Sequence, residues 1–151
     1  MGIEGIFHAN ICVSDMESSL KFYRDILGFQ VLHDFVIENE ALNRALGVEK
    51  ARVRGVLIRL GDDEKATLLD LVQWLSPGPA GPPYRQLNNL GICRIALKAR
   101  DIESVYQDLQ AQGVEFMIPP QSVKIEGTPG ETKFCCFNDP DRTILELIEG
   151  L

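Results

Sequence analysis

The apolar residues of this chain follow two spacings, and these recur in the same order in each half. Short apolar-rich runs bounded by turn residues predict strands, and apolar positions three and four residues apart predict one helix per half. Ser14 is the predicted N-cap of the first helix, Glu17 completes a capping box, and Gly28 ends the helix. The predicted first-half strands cover residues 6–13, 29–36, 52–60 and 67–75.

The second half repeats this order after a segment that favours neither structure. Residues 76–83 read SPGPAGPP, with four prolines and two glycines, and therefore predict a linker. The predicted second-half elements are a strand over 92–99, a helix over 101–112, a strand over 114–118, a Pro- and Gly-rich loop, and strands over 132–137 and 143–148. We expect one compact domain made of a first module (1–75), a linker (76–90) and a second module (91–151).

The two halves also share residues at matched positions. Residues 8–18 align without gaps on residues 94–104, and LLDLVQ near the end of the first half falls on ILELIE near the end of the second. The identical positions in the first alignment are Asp15, Glu17 and Ser18 with Asp101, Glu103 and Ser104. Because each half reads strand, helix, strand, strand, strand, the sequence predicts an α+β fold of two tandem βαβββ modules.

Composition and charge argue against several classes of function. The formal net charge is -7, whereas proteins that bind nucleic acids or anionic membranes ordinarily carry basic surfaces, so we expect neither activity. The four cysteines form no C-x-x-C pair, which predicts buried or partly buried thiols in a reducing compartment. The sequence shows no secretory leader and no apolar stretch of membrane-spanning length. These features predict a cytoplasmic protein.

The repeat identifies four candidate functional residues. The first strands of the two modules offer His8 and Arg94 at matched positions, and the last strands offer Asp70 and Glu146. Each carboxylate stands between two leucines, where a charge is costly unless it is paired, protonated or bound to a metal. His8 is interpreted either as a structural residue or as a ligand, and Glu146 either as a ligand or as the ion-pair partner of Arg94.

Three segments give the chain its resemblance to a known family. They are FHANICVSDMESSLKFYRDILGF, GICRIALKARDIESVYQDLQAQGVEF and FNDPDRTILELIE. Together they resemble the vicinal oxygen chelate superfamily, which includes glyoxalases, extradiol dioxygenases and the bleomycin-resistance proteins. The resemblance implies curled mixed sheets that form a cup, with modules paired in one chain or between the chains of a homodimer. It also implies metal ligands on the first and last strands, here His8, Asp70 and Glu146.

The chain departs from the metal pattern of this family at two positions. Arg94 stands where the metal enzymes usually carry a second histidine, and an arginine stays protonated and offers no lone pair. Asp70 replaces the usual Glu or Gln and is shorter by one methylene. The predicted cofactor is therefore a divalent metal, zinc, nickel, manganese or iron, at a site that Arg94 alters, or else Arg94 itself supplies the positive charge.

The resemblance favours an enzyme, a glyoxalase-like lyase or isomerase acting on a small oxygen-bearing molecule. Its chemistry would be proton transfer next to a carbonyl, with Glu146 or Asp70 as the base and a metal or Arg94 stabilising the enolate. The alternative is a metal-free protein of the bleomycin-resistance type that binds or sequesters a small molecule. An extradiol dioxygenase ranks third, because those enzymes hold iron with two histidines and one carboxylate.

Overall fold

The computed structural model describes residues 2–150 and has the predicted α+β fold, with two four-stranded mixed sheets in tandem. The chain divides into two compact units, the first ending at Gly81 and the second beginning at Pro82. The first unit contains β1 (His8–Cys12), α1 (Met16–Leu20), a π-helical segment (Lys21–Ile26), β2 (Gln30–Ile37), α2 (Glu40–Leu46), β3 (Arg52–Arg59) and β4 (Leu68–Ser76). The second unit contains β5 (Ile95–Lys98), α3 (Ile102–Ala111), β6 (Gln121–Lys124), β7 (Glu131–Asn138) and β8 (Ile144–Glu149).

Both sheets bring the first strand of the unit beside its last strand. The strand orders are β1-β4-β3-β2 and β5-β8-β7-β6, with the first and last strands parallel and the other neighbours antiparallel. In the first unit Asn10 lies opposite Asp70, and in the second Ala96 lies opposite Glu146. The sheet frame therefore places each predicted carboxylate beside the first strand of its own unit.

Helix α1, which continues into the π-helical segment, and helix α3 begin in the same way. The Asp15 carboxylate accepts a hydrogen bond from the backbone N–H of Ser18 (2.7 Å), and Asp101 accepts one from that of Ser104 (3.1 Å). These bonds satisfy a backbone donor that has no partner within the first helical turn. The predicted N-cap at Ser14 is wrong by one residue, because the Asp15 side chain makes the capping bond.

The last strand of each unit also holds the start of that unit's first helix, α1 or α3. Gln73 Oε1 accepts a hydrogen bond from the backbone N–H of Met16 (3.2 Å), and Glu149 Oε2 accepts one from that of Ile102 (2.7 Å). Each helix start is therefore fixed to the strand that carries the candidate carboxylate.

The core of each unit is built around its last strand. Five consecutive residues of β4 (68–72) and four of β8 (144–147) are buried, whereas the edge strands β2 and β6 are mostly exposed. Burying one large apolar side chain contributes about 1.5–3 kcal/mol. The fully or nearly buried side chains include Ile11, Val13, Met16, Tyr23, Val56, Ile58 and Leu71 in the first unit and Ile102, Leu109, Cys135, Phe137, Leu145 and Leu147 in the second.

The strand predicted over 114–118 is wrong, and a strand lies at β6 instead. Of the predicted residues, Phe116 forms one isolated bridge to Phe137, and the N–H of Met117 donates to the carbonyl of Cys136 (2.8 Å). Pairing stops there because the next residues, Pro119 and Pro120, have no N–H to donate. The apolar pattern at 114–118 reflects packing, since the Phe116 ring contacts Tyr106 at a centroid distance of 4.6 Å.

No helix in the described part of the chain is long and apolar enough to cross a membrane.

Candidate functional site

The structure arranges the four predicted residues as two pairs, one in each unit. In the first unit, His8 on β1 and Asp70 on β4 face each other, with 3.9 Å between His8 Nε2 and Asp70 Oδ2. The His8 side chain is 37% exposed and that of Asp70 is 13% exposed. Asn10, two residues after His8, donates a hydrogen bond from Nδ2 to the same Oδ2 at 3.2 Å.

The Asp70 carboxyl is held by one of its two oxygens. His8 and Asn10 both approach Oδ2, whereas Oδ1 is buried and has no hydrogen-bond partner among residues 2–150. Burial raises the pKa of Asp70 above its usual value, and the neighbouring His8 and the Asn10 hydrogen bond offset part of that rise. A buried carboxyl with a raised pKa and one uncommitted oxygen is suited to accepting or returning a proton.

The second pair is an ion pair with a permanent cation. Arg94 donates from Nε to Glu146 Oε2, and this bond raises the already high pKa of the guanidinium. The Glu146 side chain is 5% exposed and that of Arg94 is 40% exposed, so the carboxylate is buried beneath a partly exposed cation. This is the Arg94–Glu146 pairing that the sequence offered as one of two alternatives for Glu146.

Two thiols lie beside this pair. Cys136 on β7 is opposite Glu146 on β8, and burial, followed by the charge of Glu146, raises the pKa of its thiol. Burial raises the pKa of the adjacent Cys135 to about 12. Both thiols are therefore protonated near neutral pH and are poor nucleophiles and metal ligands there. The prediction that all four cysteines are at least partly buried is wrong for Cys12, which is exposed.

The side chains of each unit provide fewer ligands than a catalytic metal site ordinarily has. The first unit pairs two donors, His8 and Asp70, whereas catalytic metal sites ordinarily use three protein ligands. In the second unit Glu146 already binds Arg94, which cannot be a ligand. Across residues 2–150, no group of three or more His, Cys, Asp or Glu side chains is placed to hold a metal ion. The side chains as arranged therefore do not fit a metal centre.

Asn10 is a site residue that the sequence analysis missed. Its contact with Asp70 joins residues 60 positions apart, so no local pattern reports it. The repeat could have pointed to Asn10. When the halves are aligned, Asn10 falls on Ala96, so the first strands of the two units carry different residues at this position. Once the parallel pairing of β1 and β4 is known, that difference falls directly opposite Asp70.

Comparison with known proteins agrees with the fold described above. Lactoylglutathione lyase of Schizosaccharomyces pombe is 29% identical to this chain, over 93% of the chain and 46% of the relative, so the chain spans about half the length of that protein. A glyoxalase family protein from Bacillus cereus superposes with a TM-score of 0.78 at 18% identity, covering 100% of this chain and 99% of that one.

A third relative is described as an antibiotic-binding protein. TnmS3 from Streptomyces sp. CB03234 superposes with a TM-score of 0.62 at 24% identity, covering 100% of this chain and 99% of its own. The family model described as Glyoxalase/Bleomycin resistance protein/Dioxygenase superfamily matches residues 5–147. Because that match covers nearly the whole chain, and the two-sheet fold agrees with it, this protein belongs to the glyoxalase/bleomycin resistance protein/dioxygenase superfamily.

Proposed function

We propose that this protein is a lyase or isomerase that transfers a proton next to a carbonyl group of a small oxygen-bearing molecule. The observation that supports this most directly is the Asp70 carboxyl, which is buried, has a raised pKa and keeps one oxygen without a partner. A structural carboxylate in an apolar strand would be expected to have both oxygens satisfied. Asp70 is therefore the proposed base.

The proposed chemistry needs a base and a group that stabilises the oxygen on which charge develops. Asp70 would take the proton through Oδ2, which lies beside the partly exposed His8 and keeps a second lone pair, because Oδ1 is shielded from solvent. His8 is partly exposed beside the same carboxyl and would donate a hydrogen bond to the substrate oxygen. A base and a donor on neighbouring strands can both be held by the rigid sheet.

The relationship to lactoylglutathione lyase suggests a probe, the hemithioacetal isomer of lactoylglutathione, in which a ketone adjoins the carbon bonded to sulfur. Removal of the proton from C1, the carbon bonded to sulfur, leaves a C1=C2 double bond and a negative charge on the C2 oxygen. That proton then returns to C2, and the C1 hydroxyl proton moves to the C2 oxygen, giving the lactoyl thioester. The reaction is an isomerisation that requires no oxidant or reductant.

The roles predicted for Arg94 and Glu146 stay predictions. Arg94 would stabilise an anionic oxygen, since it is partly exposed and makes no hydrogen bond within residues 2–150 other than that to Glu146. Glu146 is the weaker candidate base, because one of its oxygens already accepts a hydrogen bond from a permanent cation. Glu146→Gln tests this assignment against Asp70→Asn.

The predicted metal and the predicted homodimer also stay predictions. Superfamily members commonly use divalent metals, but the arrangement of His8, Asp70 and Glu146 described above gives no basis for a step through zinc, nickel, manganese or iron. Metal analysis of protein purified without chelators, with His8→Ala as control, tests the metal site. Sedimentation velocity of the full chain tests the dimer.

The proposed function is tested by proton exchange in deuterated water. Wild-type protein is mixed with the hemithioacetal probe, and NMR follows the thioester and the deuterium at its C2. We expect turnover by the wild type and a loss of at least about 100-fold in Asp70→Asn, the usual range for removing a general base. The far-UV circular dichroism of the variant should be unchanged. Wild-type protein that forms no thioester from this probe and exchanges no proton in related 2-hydroxyacyl thioesters would refute the proposal.

A metal-free binding protein is the second candidate, and the Arg94–Glu146 ion pair favours it. The pair neutralises a buried carboxylate without any cation from solution, as a site that never holds a metal requires. The similarity to the antibiotic-binding protein TnmS3 is consistent with it. This candidate predicts saturable binding of an apolar small molecule, measured by calorimetry in the presence of a chelator, with no turnover of the bound compound.

A further inference from the structure

We propose that Asn10 is a positioning residue that fixes the orientation of the Asp70 carboxyl, an inference that rests on the proposed function above. The residue lies directly opposite Asp70 on the neighbouring parallel strand, so both side chains project from the same face of the sheet. The hydrogen bond from Asn10 Nδ2 to Asp70 Oδ2 is 3.2 Å long. Asn10 therefore acts on the reaction through Asp70 and is not itself a catalytic residue.

The contact determines which carboxyl oxygen of Asp70 lies beside His8. A carboxyl group turns about its Cβ–Cγ bond with a broad, roughly two-fold preference, so its orientation must come from its partners. Asn10 and His8 both approach Oδ2, and His8 does so at 3.9 Å, too far for a hydrogen bond. Asn10 is thus the residue that holds Oδ2 beside His8 and keeps Oδ1 turned into the buried side of the site.

The second unit shows that the sheet does not need an amide at this position. Ala96 occupies the place of Asn10, opposite Glu146, and the strands pair in the same parallel register. The carboxylate there is held by Arg94, the residue matched to His8. Because Asn10 is exposed and absent from the buried core, its loss should cost little stability. An effect on turnover would then come from the placement of Asp70.

Three substitutions at Asn10 distinguish the effect of its hydrogen-bond donor from the effect of its side-chain shape. Asn10→Ala removes the donor, Asn10→Asp keeps the shape but cannot donate at neutral pH, and Asn10→Gln keeps an amide donor on a longer side chain. The matched control is Asn88→Ala, since Asn88 is exposed in the segment between β4 and β5 and its side chain makes no hydrogen bond within residues 2–150. Each variant is assayed for kcat, KM and Tm with the hemithioacetal probe.

The expected result is a change in kcat without a matching change in KM. Misplacing a reacting group by about 1 Å can cost about 100-fold, so we expect Asn10→Ala and Asn10→Asp to lose at least about 10-fold in kcat with KM within about threefold. Asn10→Gln should recover part of the loss, and Asn88→Ala should match the wild type. The proposal is overturned if Asn10→Ala or Asn10→Asp keeps kcat within about twofold, or if Asn10→Gln is no better than Asn10→Ala.

A second measurement does not depend on turnover. The side-chain amide protons of Asn10 are followed by NMR in the wild type and in Asp70→Ala. We expect one of them to move upfield and exchange faster with water when its acceptor is removed. If Asp70→Ala leaves both signals unchanged, the contact does not form in solution and the proposal on Asn10 fails. If the signal depends on Asp70 but the wild type turns over no probe, the proposed function fails and the contact stands.

Discussion

The two units of this chain have the same frame but differ where each frame holds a carboxyl group. Both cap a helix with an aspartate, pair their first and last strands in parallel, and bury a carboxyl on the last strand. In the first unit, the amide of Asn10 and the imidazole of His8 approach Asp70 and leave one oxygen uncommitted. In the second, the permanent cation of Arg94 binds Glu146. The same scaffold thus carries an available carboxyl in one unit and a neutralised one in the other.

A second difference lies on the strand beside each candidate carboxyl, two residues before the position that faces it. That residue is Gly55 in the first unit and Phe134 in the second. In the first unit, the Phe35 ring from β2 lies over Gly55 on β3, so that a Cβ built at Gly55 would be 2.6 Å from Phe35 Cζ. At the matched pair in the second unit, the aromatic residue is Phe134 on β7, and its register partner on β6 is Gln121. Each pair contains one aromatic residue, supplied by opposite strands.

The largest effect on stability is expected at Arg94. Arg94→Met leaves the buried Glu146 carboxylate without its cation and should cost about 2–3 kcal/mol, below the usual cost for a broken buried pair because Arg94 is partly exposed. Glu146→Gln leaves an arginine that water can solvate and should cost about 1 kcal/mol. Urea unfolding measures both. His8→Ala is the matched control in the first unit and should cost less than about 1 kcal/mol. Equal losses in Arg94→Met and His8→Ala would show that the two units do not differ in this way.

The next effect tests the ring over Gly55. Gly55→Ala places a methyl against Phe35 and should cost about 1–2 kcal/mol, as overpacking does. The double variant Gly55→Ala/Phe35→Leu should cost less than the sum of the single variants, because the shorter side chain relieves the clash. A double-mutant cycle from urea unfolding gives the coupling energy. Strictly additive losses would mean that the ring does not lie over Gly55 in solution.

Smaller and equal effects are expected at the two helix caps, where the units agree. Asp15→Ala and Asp101→Ala each remove one capping bond and should each cost about 1 kcal/mol. Because they share no partner, the double variant should cost the sum. Thermal unfolding followed by circular dichroism measures all three. A cost confined to one of the two aspartates would show that the caps are not equivalent.

The smallest effect is a change in how stability depends on pH. Burial raises the native pKa of Asp70 above its unfolded value, so between the two values the native state holds a proton that the unfolded chain has lost. Stability therefore falls as the pH rises through that window, and the full penalty is present above the native pKa. Asp70→Asn has no such penalty, so its stability relative to the wild type should be higher near about pH 7 than near about pH 4. Urea midpoints at both values measure this, and a difference of the opposite sign would contradict it.

The repeat made most of the fold predictable. The aligned segments 8–18 and 94–104 share the aspartate that caps each helix, and the apolar-rich runs bounded by turn residues indicated most of the strands. The N-cap at Ser14 was misassigned because Ser14 and Asp15 are adjacent and both can cap, and only the three-dimensional geometry selects between them. The strand at 114–118 was misassigned because apolar residues that cover a core resemble a strand that pairs.

The candidate site was less predictable than the fold. Matched positions in the repeat drew attention to His8, Asp70, Arg94 and Glu146, but pairing depends on contacts between residues far apart in sequence. The sequence left both the metal and the ion pair open for Glu146, and the contact with Arg94, 52 residues away, becomes visible only once the strands are placed. Asn10 was missed for the same reason, since its partner lies on another strand.

The claim that sets the two units apart is that the first unit, and not the second, holds the carboxyl that takes the proton. The most direct measurement compares kcat for Asp70→Asn and Glu146→Gln in the same assay, with the hemithioacetal probe and with Tm recorded for each variant. We predict that Asp70→Asn loses at least about 100-fold and that Glu146→Gln loses less than about 10-fold. The claim is contradicted if Glu146→Gln loses more activity than Asp70→Asn, or if Asp70→Asn stays within about 10-fold of the wild type.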